Sequence, residues 1–166
     1  MKANNLLKLA TAGLLICGMM STNAMAASTT GTASAQIVTN ISIVNTAGLS
    51  FGGVIPNLTT AGSVTVTPGG AVSNSGVTLI APLANRAVFD VAGDPSTAYT
   101  ASVDSTINLT GAGAPMIASL SLAQENTGST LDGTGVDTIY VGGVLPVGVA
   151  QATGSYSGTF AVTVNY

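Results

Sequence analysis

The chain has no histidine and no tryptophan, a single cysteine, and three basic residues in 166. Cys17 and two of the bases, Lys2 and Lys8, fall near the N-terminus. From Ala27 onward Arg86 alone faces Asp90, Asp94, Asp104, Glu125, Asp132 and Asp137, a formal net charge of −5. Without His, Cys or Lys, that stretch cannot assemble a Ser-His-Asp triad, a Cys-His pair, a Ser-Lys dyad, a Schiff base or a typical zinc site. One arginine makes no basic face, which argues against nucleic-acid partners and anionic membrane surfaces. Carboxylates remain, and Asp90 with Asp94 or Asp132 with Asp137 could be set against a glycoside. Such work also needs a cleft, usually lined with aromatics, and aromatics are 4% of the residues. Asp132-Gly133-Thr134-Gly135-Val136-Asp137 offers oxygens to calcium and makes Asp132 and Asp137 weak metal candidates. The match to an EF-hand loop is poor, and acidic residues in solvated turns is the plainer reading. Gly52-Gly53 and Gly142-Gly143 have neither a following Lys nor a helix start, so they read as bulges or tight crossings rather than phosphate cradles. The residues therefore predict no enzyme and no cofactor.

What is present begins with an export signal. Lys2 and Lys8 flank a short charged region, an apolar run follows over residues 9–20, and Ala24-Met25-Ala26 closes it. This pattern predicts a signal peptide over residues 1–26, cleaved after Ala26. The run is shorter than the roughly 20 residues that span a bilayer. Leu14-Leu15-Ile16-Cys17 has the outline of a lipobox, but Ile16 is too bulky for the position before an acylated cysteine. The expected destination is the periplasm in transit, then the cell surface or a fimbrium, with no membrane span in the mature chain.

The remaining 140 residues suit one domain with its own core and need no disulfide. Their period is two. Residues 36–44 (QIVTNISIV) place Ile37, Thr39, Ile41 and Ile43 on one face, and residues 63–67 alternate likewise. Further strands are expected over 76–81, 86–91, 99–103, 116–122, 138–141, 143–149 and 156–166. In the last of these Phe160, Val162, Val164 and Tyr166 share one face. Pro68-Gly69-Gly70, Asn74-Ser75-Gly76, Gly93-Asp94-Pro95, Gly111-Ala112-Gly113 and Asp132-Gly133 supply turns between them, and residues 124–135 read as the longest exposed loop. Many short strands so spaced predict an all-β sandwich over residues 36–166, preceded by a flexible arm, 27–35.

Leu49-Ser50-Phe51-Gly52, Gly62-Ser63-Val64-Thr65-Val66, the run from Phe89 to Pro95, Val141-Gly142-Gly143 and the closing segment from Gly154 to Tyr166 resemble domain-of-unknown-function family 4402, a family of exported Gram-negative proteins. The tail, with Tyr156-Ser157-Gly158-Thr159 before alternating Val and Thr and a terminal aromatic, is also similar to chaperone-usher fimbrial subunits of the spore-coat-U type. The family resemblance implies no assigned catalysis. The fimbrial one implies an immunoglobulin-like β-sandwich, completed by an exchanged donor strand, in a non-enzymatic subunit of a surface fibre. Its implied partners are like subunits, a periplasmic chaperone and an outer-membrane usher. Ile37, Ile41, Ile43, Phe160, Val162, Val164 and Tyr166 are then the strand-exchange or core-edge residues. The arm ASTTGTASA lacks the large alternating apolar residues of a donor strand, and the cysteine pair of many fimbrial subunits is missing. The alternative is a monomeric periplasmic or surface binding module for a glycan or protein ligand.

Overall fold

Valine, isoleucine and threonine at alternate positions favour the pleated, half-buried backbone of antiparallel sheets. The computed structural model describes residues 25–166; residues 1–24 of the expected leader, with Cys17, lie outside the described residues. Residues 25–36 are exposed and without regular structure. Ile37 to Tyr166 make one unit, with strands β1 (Ser42–Ala47), β2 (Gly53–Ile55), β3 (Gly62–Val66), β4 (Val72–Ser75), β5 (Thr78–Ile80), β6 (Ala87–Ala92), β7 (Thr100–Val103), β8 (Thr106–Gly111), β9 (Met116–Gln124), β10 (Val136–Val147), β11 (Tyr156–Ser157) and β12 (Val162–Asn165). Among the described residues no helix is long and apolar enough to cross a membrane.

β10 is the spine of the larger sheet, whose order is β1-β6-β10-β9-β8-β11. Along one edge its residues 136–141 pair with β6 and residues 143–147 with β3, which in turn carries β4. Its inward positions Ile139, Val141, Leu145 and Val147 are buried, whereas Val136 and Val144 face out. Two short ladders, β12 with β7 and β2 with β5, lie against the inner face. Ala101, Val103, Val162 and Val164 pack against Ala87, Val91, Ile139 and Val141, while Val54 and Leu79 pack against Val64, Val66 and Leu145. The architecture is an all-β, antiparallel sandwich, as the period of the sequence predicts.

Three expected strands take different bounds. The first starts at Ser42, not at residue 36, because its partner β6 ends at Ala92, opposite Ser42, and Gly93 to Pro95 then turn away. Ile37 is consequently 97% exposed and not on the core face, whereas Ile41 and Ile43 do pack on the core. Residues 138–141 and 143–149 are not two strands, since β10 runs through both glycines. A Cβ at Gly142 would strike Val66 and Pro68, and one at Gly143 would meet Ser119 O at 2.6 Å, so the glycines admit close neighbours without ending the ladder. Residues 156–166 are two strands in two sheets, β11 on β8 and β12 on β7. The crossover is at Gly158, where a side chain would collide with the carbonyl of Asn108. The 125–135 loop is not a free excursion either: Leu131, 2% exposed, plugs the core, and its backbone is bonded to Thr97 and that of Ser129 to Tyr99.

Candidate functional site: an open apolar seam

Between the chain that follows β1 and the chain that leads into β12 lies a groove of about 880 Å³. One wall is the run from Leu49 to Val54. Asn85 holds it, exchanging two backbone bonds with Ser50 (2.9 and 2.8 Å) and donating its side-chain amide to Gly48 O at 2.7 Å. Gly52, at φ +77°, turns the wall so closely over Pro82 and Ala84 that a Cβ would sit 2.8 Å from their backbone. The other wall runs from Gln151 to Phe160. Gln151 Nε2 donates to Ala114 O (2.7 Å) and to Tyr156 Oη (2.9 Å), and Tyr156 Oη donates to Ala152 O, which pins this strap to the turn between β8 and β9. The floor is Phe89, Ile107, Leu109, Met116, Leu145 and Val147.

All three phenylalanines of the chain, Phe51, Phe89 and Phe160, line this one groove, and among the described residues no charged side chain does. Phe89 and Phe160 meet edge to face, with centroids 6.1 Å apart and planes at 74°, and beyond them the sandwich is closed. Ile41, Ile43, Val162 and Val164 lie past that pair and face the core, not the groove. β1 is paired on one side only, with β6, and β12 on one side only, with β7. Among the described residues each of these strands thus keeps one unpaired edge, at the closed end of the groove, where Asn45 of β1 reaches its lining and no residue of β12 does.

The closed end is fastened by the last residue. Tyr166 is 46% exposed, but its hydroxyl donates to Thr39 O (2.8 Å) and accepts from Asp94 N (2.6 Å), while Asp94 Oδ1 accepts from Thr39 N. Gly93 makes room for it, since a Cβ there would strike the phenol. Thus Phe160, Val162, Val164, Ile41 and Ile43 are half-buried core-edge residues, Tyr166 is a clasp, and Ile37 is free.

The acidic residues are elsewhere. Asp132 Oδ1 accepts from Thr134 N, Thr134 Oγ1 and Val136 N, and these donors, Val136 N–H first, hold its carboxyl below the ordinary range. Asp137, 5% exposed, accepts from Asn126 N and Thr138 N on one oxygen and from Tyr99 Oη, at 2.5 Å, on the other. Both carboxylates thus organise their own loop, and among the described residues no three ligating groups gather. Burial first, then that hydrogen bond, push Tyr99 up to about 12. Asp90 and Asp94 do not line the seam. Sequence reading passed over Phe51, Phe89, Ile107, Leu109 and Met116; the available signal was the scarcity of phenylalanine, which makes each position notable.

Neither the characterised proteins nor the solved structures compared with this chain gave a match. A family model does match, over residues 41–166, from the first isoleucine on the core to the clasping tyrosine, and the chain belongs to that family, Domain of unknown function (DUF4402).

Proposed function

We propose that this is an exported, non-enzymatic structural subunit of a surface fibre, assembled by accepting an extended strand of another polypeptide into the open seam. The observation that carries the reading is the gathering of all three phenylalanines along one groove that no charged side chain lines among the described residues. An extended segment laid there would cover the exposed parts of Phe89 and Phe160 and, running on past that pair, would reach a free edge of β1 or β12, which is β-strand addition. Among the described residues no Asp, Glu, Lys, Arg or Cys lines the seam, which suits packing rather than turnover. The resemblance of the tail to fimbrial subunits points the same way and supplies the expected partners, a periplasmic chaperone that covers the seam in transit and an outer-membrane usher. Protein sheared from cells should run as a ladder that collapses to one band only on boiling, and subunit made without a chaperone should aggregate or be degraded. A single band at room temperature together with a soluble, stable lone subunit would refute the proposal.

A second reading has one observation in its favour. The Tyr166 clasp and the Phe89–Phe160 pair close one end without outside help. A self-sufficient monomer with an apolar pocket, a binding module for a glycan or protein ligand, would be built that way.

A further inference from the structure

The seam is larger than the free segment among the described residues can fill. Taking the seam as strand-receiving, we infer that its strand comes from a different polypeptide, one presenting large apolar side chains at alternate positions, and not from a second copy of this chain. The segment that could leave a copy without dismantling it is short. Among the described residues, 25–38 lie outside every strand and are exposed, whereas Thr39 is tied to Asp94 and Tyr166, Ile41 and Ile43 pack on the core, and Ser42–Ala47 is laddered to β6. An inserted strand sends alternate residues into the groove, roughly 6.6 Å apart. With Ile37 inward, its companions are Ala33, Ala35 and Thr39; with Val38 inward, they are Thr32, Ser34, Gln36 and Asn40. Either register delivers one large aliphatic side chain.

The receiving surface has the opposite character. A volume of about 880 Å³, near the upper end of the roughly 300–1,000 Å³ typical of ligand sites, is faced by three phenyl rings with Leu109, Met116 and Leu145. Alanine methyls would leave most of it empty, and apolar voids lose dispersion contacts without admitting water usefully. Leucine, isoleucine or phenylalanine at successive inward positions would fill it. The lining carries no charge, so a neutral segment fits best. This subunit then stands beside an unlike neighbour and does not build a fibre from itself alone.

Two synthetic peptides test this against the purified full-length protein. One copies residues 29–40. The other is identical except for Ala33→Leu, Ala35→Leu and Thr39→Ile. The substituted peptide should co-elute with the protein and raise its melting temperature by several degrees, while the copy leaves it within a degree. A Met116→Glu protein, whose own melt reports whether it is folded, should lose the shift; a shift retained there would place binding outside the seam and overturn the inference. If the copied peptide stabilises as well as the substituted one, copies do join to copies and the inference falls while the strand-receiving seam stands. If neither peptide acts, or if decanoate alone reproduces the shift, the strand-receiving reading falls with it.

Discussion

Replacing Tyr99 by phenylalanine removes one oxygen and leaves the ring in place, so it isolates the bond to Asp137. Tyr99 is 2% exposed and Asp137 5%, and the phenol is the donor serving Asp137 Oδ2. A hydrogen bond to a charged group contributes roughly 1.5–3 kcal/mol, and the abandoned carboxylate oxygen cannot turn to water from a buried site. The expected loss is therefore about 2 kcal/mol, a large share of the roughly 5–15 kcal/mol that holds a domain together. Equilibrium urea unfolding followed by circular dichroism is the assay, because the chain has no tryptophan to report by fluorescence. The pH profile makes the test sharper. Burial, and secondly the bond to Asp137, raise Tyr99 from 10.0 to about 12 in the folded state. The fold thus favours the neutral phenol: its contribution is fully present below pH 10 and disappears as pH climbs toward 12. Native protein and Tyr99→Phe should differ most near neutrality and converge across that window. A difference below half a kilocalorie at pH 7, or one that stays constant to pH 12, would refute the reasoning.

Gly93→Ala should lower the melting temperature by displacing the Tyr166 hydroxyl, and much of that loss should vanish in a Tyr166→Phe background, where a double-mutant cycle would read the coupling. Ile43→Asp places a charge against Val91 and Ile139 and should cost about 3 kcal/mol or more, whereas Ile37→Asp, at a side chain 97% exposed, should stay within about 0.5 kcal/mol in the same denaturation assay. The Asp132 carboxyl is held below its ordinary value of 3.8 by its own loop's donors, so its contribution is present above that value and lost as pH falls through the lower, folded one. Acid titration of melting temperature should accordingly be shallower in Asp132→Asn than in the native protein.

The strands were legible where alternation and turn chemistry agreed. β3, β6, β7 and β9 begin and end within two residues of the sequence reading, because each pairs an alternating apolar face with turn residues close by. β8 was missed although Ile107 and Leu109 alternate, since only two apolar residues mark so short a run. The tail kept its alternation through Gly158 while changing sheets, and a period of two carries no information about which ladder a strand joins. Gly142-Gly143 reads as a bulge or tight crossing and is a tight crossing, but the strands expected on either side of it are one strand, and the glycines mark the place where the edge partner of β10 changes from β6 to β3. Of the seam only Phe160 was legible, because the rest is made of side chains brought together from segments between Asn45 and Phe160 that are far apart in sequence.

The energetics of covering the seam favour a large-residue strand over a small one. Fixing one residue of an incoming segment costs roughly 1–2 kcal/mol of backbone entropy, so each inward and outward pair costs about 2–4 kcal/mol. Ladder bonds return about 0.5–1.5 kcal/mol each, at most one or two for such a pair on these single free edges. An inward leucine or isoleucine adds about 1.5–3 kcal/mol on burial and brings the pair close to balance or beyond it. An inward alanine adds only about 0.8 kcal/mol, the figure for one methylene, and at mid-range values the pair stays unfavourable. The edges alone are therefore insufficient to hold a segment such as Ala33 to Gln36, and side-chain size decides occupancy. The half-covered rings of Phe89 and Phe160 set the same condition from the receiving side, because only a side chain long enough to reach them removes their remaining surface from water.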